Sequence, residues 1–256
     1  MRIAAVELKS LSLSYPLPNK ERTWVVRDVS ARFEEGAISA IIGPSGCGKT
    51  SLIRMMAGLL KPDGGTILIE GDPVRGVRKH TAVIFQDYGL LPWETVRVNA
   101  ELPLRIAGVR GPRRKAVRDL LVQFGLGAFE KRYPHQLSGG MKQRLAIVRA
   151  LIAEPRLLLM DEPFSGLDAL TREDAQDFLL GVQKERRLTI VMVTHSIEEA
   201  VYMADSVYVM RGLNPGILDT QTGISRDGAS HARFRGEARF REYNAALRSA
   251  LKGSDL

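Results

Sequence analysis

Gly43-Pro-Ser-Gly-Cys-Gly-Lys49-Thr50 fits the pattern of a glycine, four residues, then Gly-Lys-Ser/Thr. Its two flanks are patterned differently. Residues 37–42 form a nearly continuous apolar run, as in a parallel strand buried on both faces. After the loop, Leu52, Ile53, Met56, Leu59 and Leu60 recur at helical spacing until Pro62 and Asp63-Gly64-Gly65 break the pattern. Strand, glycine-rich loop and helix form the context in which this pattern cradles phosphate. In the loop Gly43, Pro44, Ser45, Gly46, Cys47 and Gly48, the glycines let successive backbone N–H groups curl inward around phosphate, and the helix through Ser51 adds its positive N-terminal end. Lys49 supplies a point charge to the β- and γ-phosphates and Thr50 a hydroxyl to Mg²⁺. The loop's amides and Lys49 are also expected to acidify the thiol of Cys47.

Further out, the chain alternates strands and helices. Residues 3–8, 10–14 and 24–33 read as strands, with Tyr15-Pro-Leu-Pro in a polar loop between the last two. Residues 66–70 and 81–85 are further strands, and 91–154 turn mostly helical. Strands return at 156–160 and 188–194 around a helix at 172–186, followed by a helix at 197–204 and a strand at 206–210. A basic tail ends in an amphipathic helix at 238–252. Such alternation predicts a parallel α/β core with a helical insertion.

Composition narrows the class. A chain of 256 residues with 45% hydrophobic and 26% charged side chains is an ordinary globular protein, not a collagen-like or coiled-coil one. Cys47 is the one cysteine, so no internal disulfide can form, and a reducing, cytoplasmic setting is expected. No apolar run reaches the ~18–20 residues needed to span a bilayer. Thirty-seven Lys and Arg against 29 Asp and Glu leave a net charge of +8, which favours anionic partners without choosing among them. Six of the basic residues fall within 105–118, a solvated helical face or a surface for lipid headgroups.

Two more motifs carry chemistry. Leu157-Leu-Leu-Met-Asp161-Glu162 is an apolar strand ending in two carboxylates. Neighbouring residues leave a strand on different sides, so Asp161 can face a metal ion, through its water shell, while Glu162 faces an attacking water. Leu137-Ser138-Gly139-Gly140-Met141 opens a helix: Ser138 is a good N-cap, and the glycines expose N–H groups at a second phosphate-binding helix end.

With these three motifs in one chain, the sequence resembles the ATP-binding cassette (ABC) ATPases over about residues 4–215, and 137–141 matches their signature motif. The resemblance implies an α/β fold: a P-loop NTPase (RecA-like) core with a parallel sheet, an N-terminal antiparallel β subdomain and an inserted α-helical subdomain. It makes residues 1–256 one domain, with the core at 1–89 and 155–216, the helical subdomain at 90–154 and a basic helical extension at 217–256. It implies an Mg²⁺-dependent ATP hydrolase in which Glu162 is the base, His195 the switch histidine and Gln86 the glutamine that contacts Mg²⁺ or water. Lys49 completes the catalytic set, and Thr50, Gln86 and Asp161 surround the metal. Tyr15 matches the aromatic that stacks on adenine, with Trp24 as the competitor.

The family acts as an ATP-sandwich dimer. Ser138, Gly139, Gly140, Met141 and Asp168, within Ser165-Gly-Leu-Asp168, would act in trans on the partner's nucleotide. Met141 stands where the commonest signature has Gln, which leaves Ser138 and the glycine N–H groups in place. Leu-Ser-Gly-Gly-Met, Leu90-Leu91-Pro92-Trp93 and Pro215-Gly216 look like the nitrate/sulfonate/taurine importer branch, although Pro215-Gly216 continues with Ile217 instead of Arg-Ile. The expected setting is the cytoplasmic face of the inner membrane. There the chain would be peripheral, docked near residues 86–93 on a separate integral membrane permease, and served by a periplasmic solute-binding protein. Exporter or lipid-transport systems, and a soluble ABC ATPase acting on nucleic acid, are the alternatives. The span from Gln86 to Ser138 is too short for the long coiled-coil insertion of the chromosome-maintenance enzymes, so no nucleic acid is expected.

Overall fold

The computed structural model describes residues 4–17, 21–109, 113–210, 218–226 and 230–252. Residue 3 of the first expected strand, 110–112 of the basic stretch and the 215–217 motif lie outside them. In chain order the first half runs β1 (Ala4–Pro16), β2 (Arg22–Glu34), β3 (Ile38–Ile42), α1 (Lys49–Met56), β4 (Gly64–Ile69), β5 (Asp72–Pro73), β6 (Thr81–Ile84), α2 (Val96–Ile106) and α3 (Arg113–Gln123). The second half runs α4 (Gly139–Ile152), β7 (Leu157–Asp161), α5 (Ala169–Arg186), β8 (Thr189–Thr194), α6 (Ile197–Met203), β9 (Ser206–Met210), β10 (Leu218–Gly223), α7 (His231–Arg235) and α8 (Ala238–Lys252).

Among the described residues the strands form two sheets. One is antiparallel, ordered β2-β1-β4-β5; the other is ordered β10-β9-β3-β8-β7-β6. In the second, β9 through β6 are parallel and only β10 runs against its neighbour. This is the α/β P-loop NTPase fold, with the antiparallel sheet on the N-terminal side and helices α2 to α4 inserted between β6 and β7.

The continuous apolar runs follow from burial on both faces of the parallel sheet. Ile38, Ala40 and Ile42 of β3, Leu158 and Met160 of β7, and Ile190 and Met192 of β8 join one core with the helices. Ile41, Leu159, Val191 and Val193 point the other way, into a core shared with α1 and the antiparallel sheet. Period-two alternation thus feeds two cores from each strand.

Two expected boundaries shift, each for a local reason. The strands expected at 3–8 and 10–14 are one strand, β1. Its buried positions change phase from Val6 and Leu8 to Leu11 and Leu13, because Ser10 sits at φ 48° within a bulge. The helix after the phosphate loop stops at Met56, short of Leu59, which is exposed. Gly58 takes φ 72°, so the Gly58 and Leu59 N–H groups close back on the carbonyls of Met55 and Arg54 at 3.0 and 2.9 Å. The tail also adds β10 and α7, which the sequence pattern had not suggested.

The C-terminal helices pack on α6 and α5. Arg226 reaches Asp205 at 3.2 Å, and Arg235 stacks over the Tyr202 ring at 3.9 Å. His231 lies edge-on to Tyr202, and burial, with Arg226 nearby, pushes its imidazole down to about 4.

A Cβ at Gly58 would fall 2.1 Å from the Gly76 carbonyl oxygen as well as entering the left-handed region. Gly58→Ala should therefore cost about 2 kcal/mol or more and lower the thermal midpoint by roughly 4–8 °C. Because His231 is less basic in the fold than when unfolded, its contribution is present above about pH 6.5 and is lost as pH falls toward 4. Amide exchange in α7 and α8 should speed up across that window, and His231→Gln should flatten the change.

Candidate nucleotide site

The phosphate loop is squeezed between two strands, which is why its glycines are needed. Side chains at Gly43 and Gly48 would come within 2.5 Å of the Met210 and Val25 carbonyl oxygens. Gly46 and Gly48 also hold φ 81° and 99°, the left-handed turns that curl the loop into the N-terminus of α1. Pro44, Ser45 and Gly46 are exposed at its rim, and Ser51 is half-buried in the first turn of α1. Lys49 is buried, and its ammonium donates to the Gly43 and Pro44 carbonyls, each at 2.8 Å. The loop thus holds its own cation on its own carbonyls.

Parallel pairing sets the rest of the site. β7 lies between β6 and β8, so Gln86, Asp161–Glu162 and His195 leave the sheet at adjacent strand ends. Asp161 accepts from the Thr50 hydroxyl at 3.1 Å. Burial pushes its carboxyl up; the Thr50 hydrogen bond opposes that shift, and neighbouring Glu162 adds to it. Glu162 takes φ 46°, unusual for a residue with a Cβ, and is held there by its N–H to Val193 O at 3.0 Å and by Ser165 Oγ–H to its carbonyl at 3.1 Å. This turn sends its carboxylate away from Asp161. Gln86 donates to Glu162 Oε2 at 3.4 Å, and His195 Nδ1 lies 3.2 Å from the same oxygen. Two adjacent carboxylates therefore face different partners, as expected, but through a turn at Glu162 just past the end of β7 and not through strand alternation.

A cleft of about 1010 Å³ connects these groups, lined by Thr50, Gln86, Asp161, Glu162, His195 and Gly139. Gly139 belongs to α4, whose N-cap Ser138 accepts from the Met141 N–H at 3.4 Å. Cβ atoms at Gly139 and Gly140 would meet Leu167 and Thr171 at 2.8 and 2.5 Å, so these glycines also permit close packing of α4 on α5. Met141 rests half-buried against the core. Asp168 caps α5, accepting from Thr171 N–H at 3.1 Å, and the Thr171 bonds hold its carboxyl below the usual range. Tyr15 pairs with Thr23 and Trp24 with Ser14 at the paired ends of β1 and β2, both about 40% exposed. Val25 beside Trp24 touches the phosphate loop, so both aromatics stand near it.

Several supporting residues had no local signal. Arg149 of α4 donates to the Tyr88 and Gly89 carbonyls, and Asn99 holds Leu91 through N–H to Oδ1 at 2.8 Å. Together they fix the segment after Gln86. Under His195, Thr194 donates to buried Glu199 at 2.7 Å while accepting from the Ser196 N–H. A polar residue at a core position of α2, as Asn99 is, was the one readable hint.

Cys47 corrects an expectation. Its thiol is buried, and burial pushes it up despite the adjacent Lys49. The thiolate is the nucleophile, so alkylation at pH 7 should be slower than that of free cysteine and should accelerate only at higher pH than free cysteine's does. A maleimide rate at pH 7 matching that of free cysteine would contradict this placement.

Comparison with known proteins places the chain. Residues 26–165 match the ABC transporter family model. A putative ATP-binding protein of Brucella abortus biovar 1 is 48% identical over 186 residues, 72% of this chain and 71% of that protein. The taurine import ATP-binding protein TauB of Pseudomonas entomophila is 43% identical over 215 residues, 84% of this chain and 82% of TauB. The dimeric structure of MJ0796, a bacterial ABC transporter cassette, has a TM-score of 0.75 at 29% identity, covering 86% of this chain and 99% of that one. CbiO1 of Clostridium perfringens, part of the ABC transporter complex cbiONQ, has a TM-score of 0.75 at 26% identity, covering 99% of each chain. The family match runs from within β2, through the phosphate loop, to just past Glu162, and this chain accordingly belongs to the ABC transporter family, as an ATP-binding, ATP-hydrolysing cassette.

Proposed function

We propose that the chain energises a bacterial importer for a small anionic solute of the nitrate, sulfonate or taurine kind. The import reading is supported by its likeness to TauB over most of both chains. The catalytic reading is carried by one observation: Asp161 turns to Thr50 while Glu162 turns to Gln86 and His195.

The donor set fits Mg²⁺. Thr50 and Asp161 offer hard oxygens 3.1 Å apart, and burial leaves the Asp161 carboxylate in want of a cation. Among the described residues no group of three or more His, Cys, Asp or Glu could hold a metal ion, so substrate phosphates would complete this coordination, with Gln86 at its edge. When bound, Mg²⁺ neutralises charge on the β- and γ-phosphates.

The chain's own groups do the rest. Lys49 exchanges the Gly43 and Pro44 carbonyls for phosphate oxygens, and the loop N–H groups and α1 add positive potential. Glu162 takes the proton of the attacking water, and His195 and Gln86 hold its carboxylate in place. Tyr15 stacks on adenine. A second copy closes the site with the α4 N-terminus, from Ser138, Gly139, Gly140 and Met141, and with Asp168. Leu170 beside Asp168 is 77% exposed, an apolar contact suited to that closure. Among the described residues no helix is long and apolar enough to cross a membrane. The motion passes to a separate permease at the cytoplasmic face, for which Trp93, 70% exposed, offers a contact. A periplasmic binding protein delivers the solute.

Glu162→Gln keeps shape but removes the base, so turnover should fall about 10²–10⁴-fold while ATP binding persists. That variant should form ATP-dependent dimers on a sizing column. Lys49→Ala should lose ATP binding, and Ser138→Arg should bind ATP as a monomer. Wild-type turnover by Glu162→Gln would sink the base assignment.

A further inference from the structure

The opposite ends of the same three strands open into a second cavity, of about 420 Å³. Thr81, Leu157 and Thr189, the first residues of β6, β7 and β8, all line it. The cavity is strongly basic: Arg78, Lys79, Arg156, Arg186 and Arg187 face it, with His80, against the carboxylates of Glu35 and Glu70. Arg156 pairs with Glu70 at 3.2 Å and Arg78 with Asp72 at 3.6 Å. Among the described residues Lys79, Arg186 and Arg187 make no ion pair. Cations that outnumber the carboxylates around a concave site raise the local potential and attract anions.

Arg187 adds a second observation. It ends α5 at φ 49°, a left-handed position where glycine or asparagine is the ordinary occupant. Arg187 thus lines the cavity from a position whose backbone glycine would adopt more easily. A planar fork of N–H donors suits an oxyanion.

The strand starts are also stitched together. The Arg156 N–H donates to the His80 carbonyl at 2.9 Å, and the Thr189 N–H to the Arg156 carbonyl at 3.1 Å. An anion drawing Lys79, Arg156 and Arg187 together would act on all three strands at once. Their far ends, roughly 15–20 Å away at ~3.3 Å per residue, carry Gln86, Asp161–Glu162 and His195.

We propose that this cavity binds a small multivalent oxyanion and that its occupancy changes the rate of ATP hydrolysis. The test uses the full chain and inorganic sulfate, with chloride holding ionic strength constant. Saturating Mg-ADP fills the phosphate loop while sulfate binding is measured by calorimetry, and saturating Mg-ATP fills it while turnover is measured. The double variant Lys79→Ala, Arg187→Gly removes two cations and relieves the left-handed backbone, so its thermal midpoint should not fall. It should bind sulfate at least tenfold more weakly. Sulfate should shift wild-type turnover at least twofold and leave the variant unmoved. Lys115→Ala, a cation elsewhere on the surface, should behave as wild type. Equal sulfate affinity in wild type and double variant, or no binding by either, overturns the site. Binding at the cavity with wild-type turnover unchanged overturns the coupling.

Discussion

Parallel hydrogen bonding between β6, β7 and β8 is the constraint on which the site depends. Ile84 pairs with Met160, and Asp161 pairs with Val193. That register stops three strands at nearly the same level, so residues far apart in sequence emerge side by side. No side-chain contact would bring Gln86 and His195 to one carboxylate without it. The register in turn rests on alternating apolar residues that feed two cores, because a one-residue slip would exchange the faces of a strand. Packing and chemistry are therefore specified by the same positions.

Charge follows from this frame. A buried ammonium needs partners, and Lys49 has two carbonyls of its own loop. A buried carboxyl is costly to ionise, and Asp161 has one hydroxyl partner. Under the proposed function, phosphate with its cation would satisfy both more fully. The arrangement suits binding of a charged substrate better than it suits stability.

Much of this was legible because it is local. The phosphate loop, the paired carboxylates and the Ser138 cap are short strings whose chemistry depends on near neighbours. The ends of elements were harder. Ser10 gives no warning that it can carry a strand through a phase change, and Gly58 ends α1 two residues before the apolar spacing does. Least legible were contacts across the chain. Arg149 and Gly89 are far apart in sequence, and Cys47 is made inert by burial that no neighbouring residue announces. The strand β10 is polar and completes the sheet edge beside β9, where the apolar pattern is weak.

The backbone of Glu162 has a consequence for how this protein would change under selection. Its left-handed turn is the same one that aims the carboxylate, and glycine or asparagine would adopt it more comfortably. A laboratory lineage bred for heat resistance alone, with no demand for turnover, would be free to exchange this residue, as it would Ser10 or Arg187. Under the role proposed for this carboxylate, it would arrive at a hardier fold that binds ATP without turning it over. A glutamate at so uncomfortable a corner costs stability that a glycine there would not.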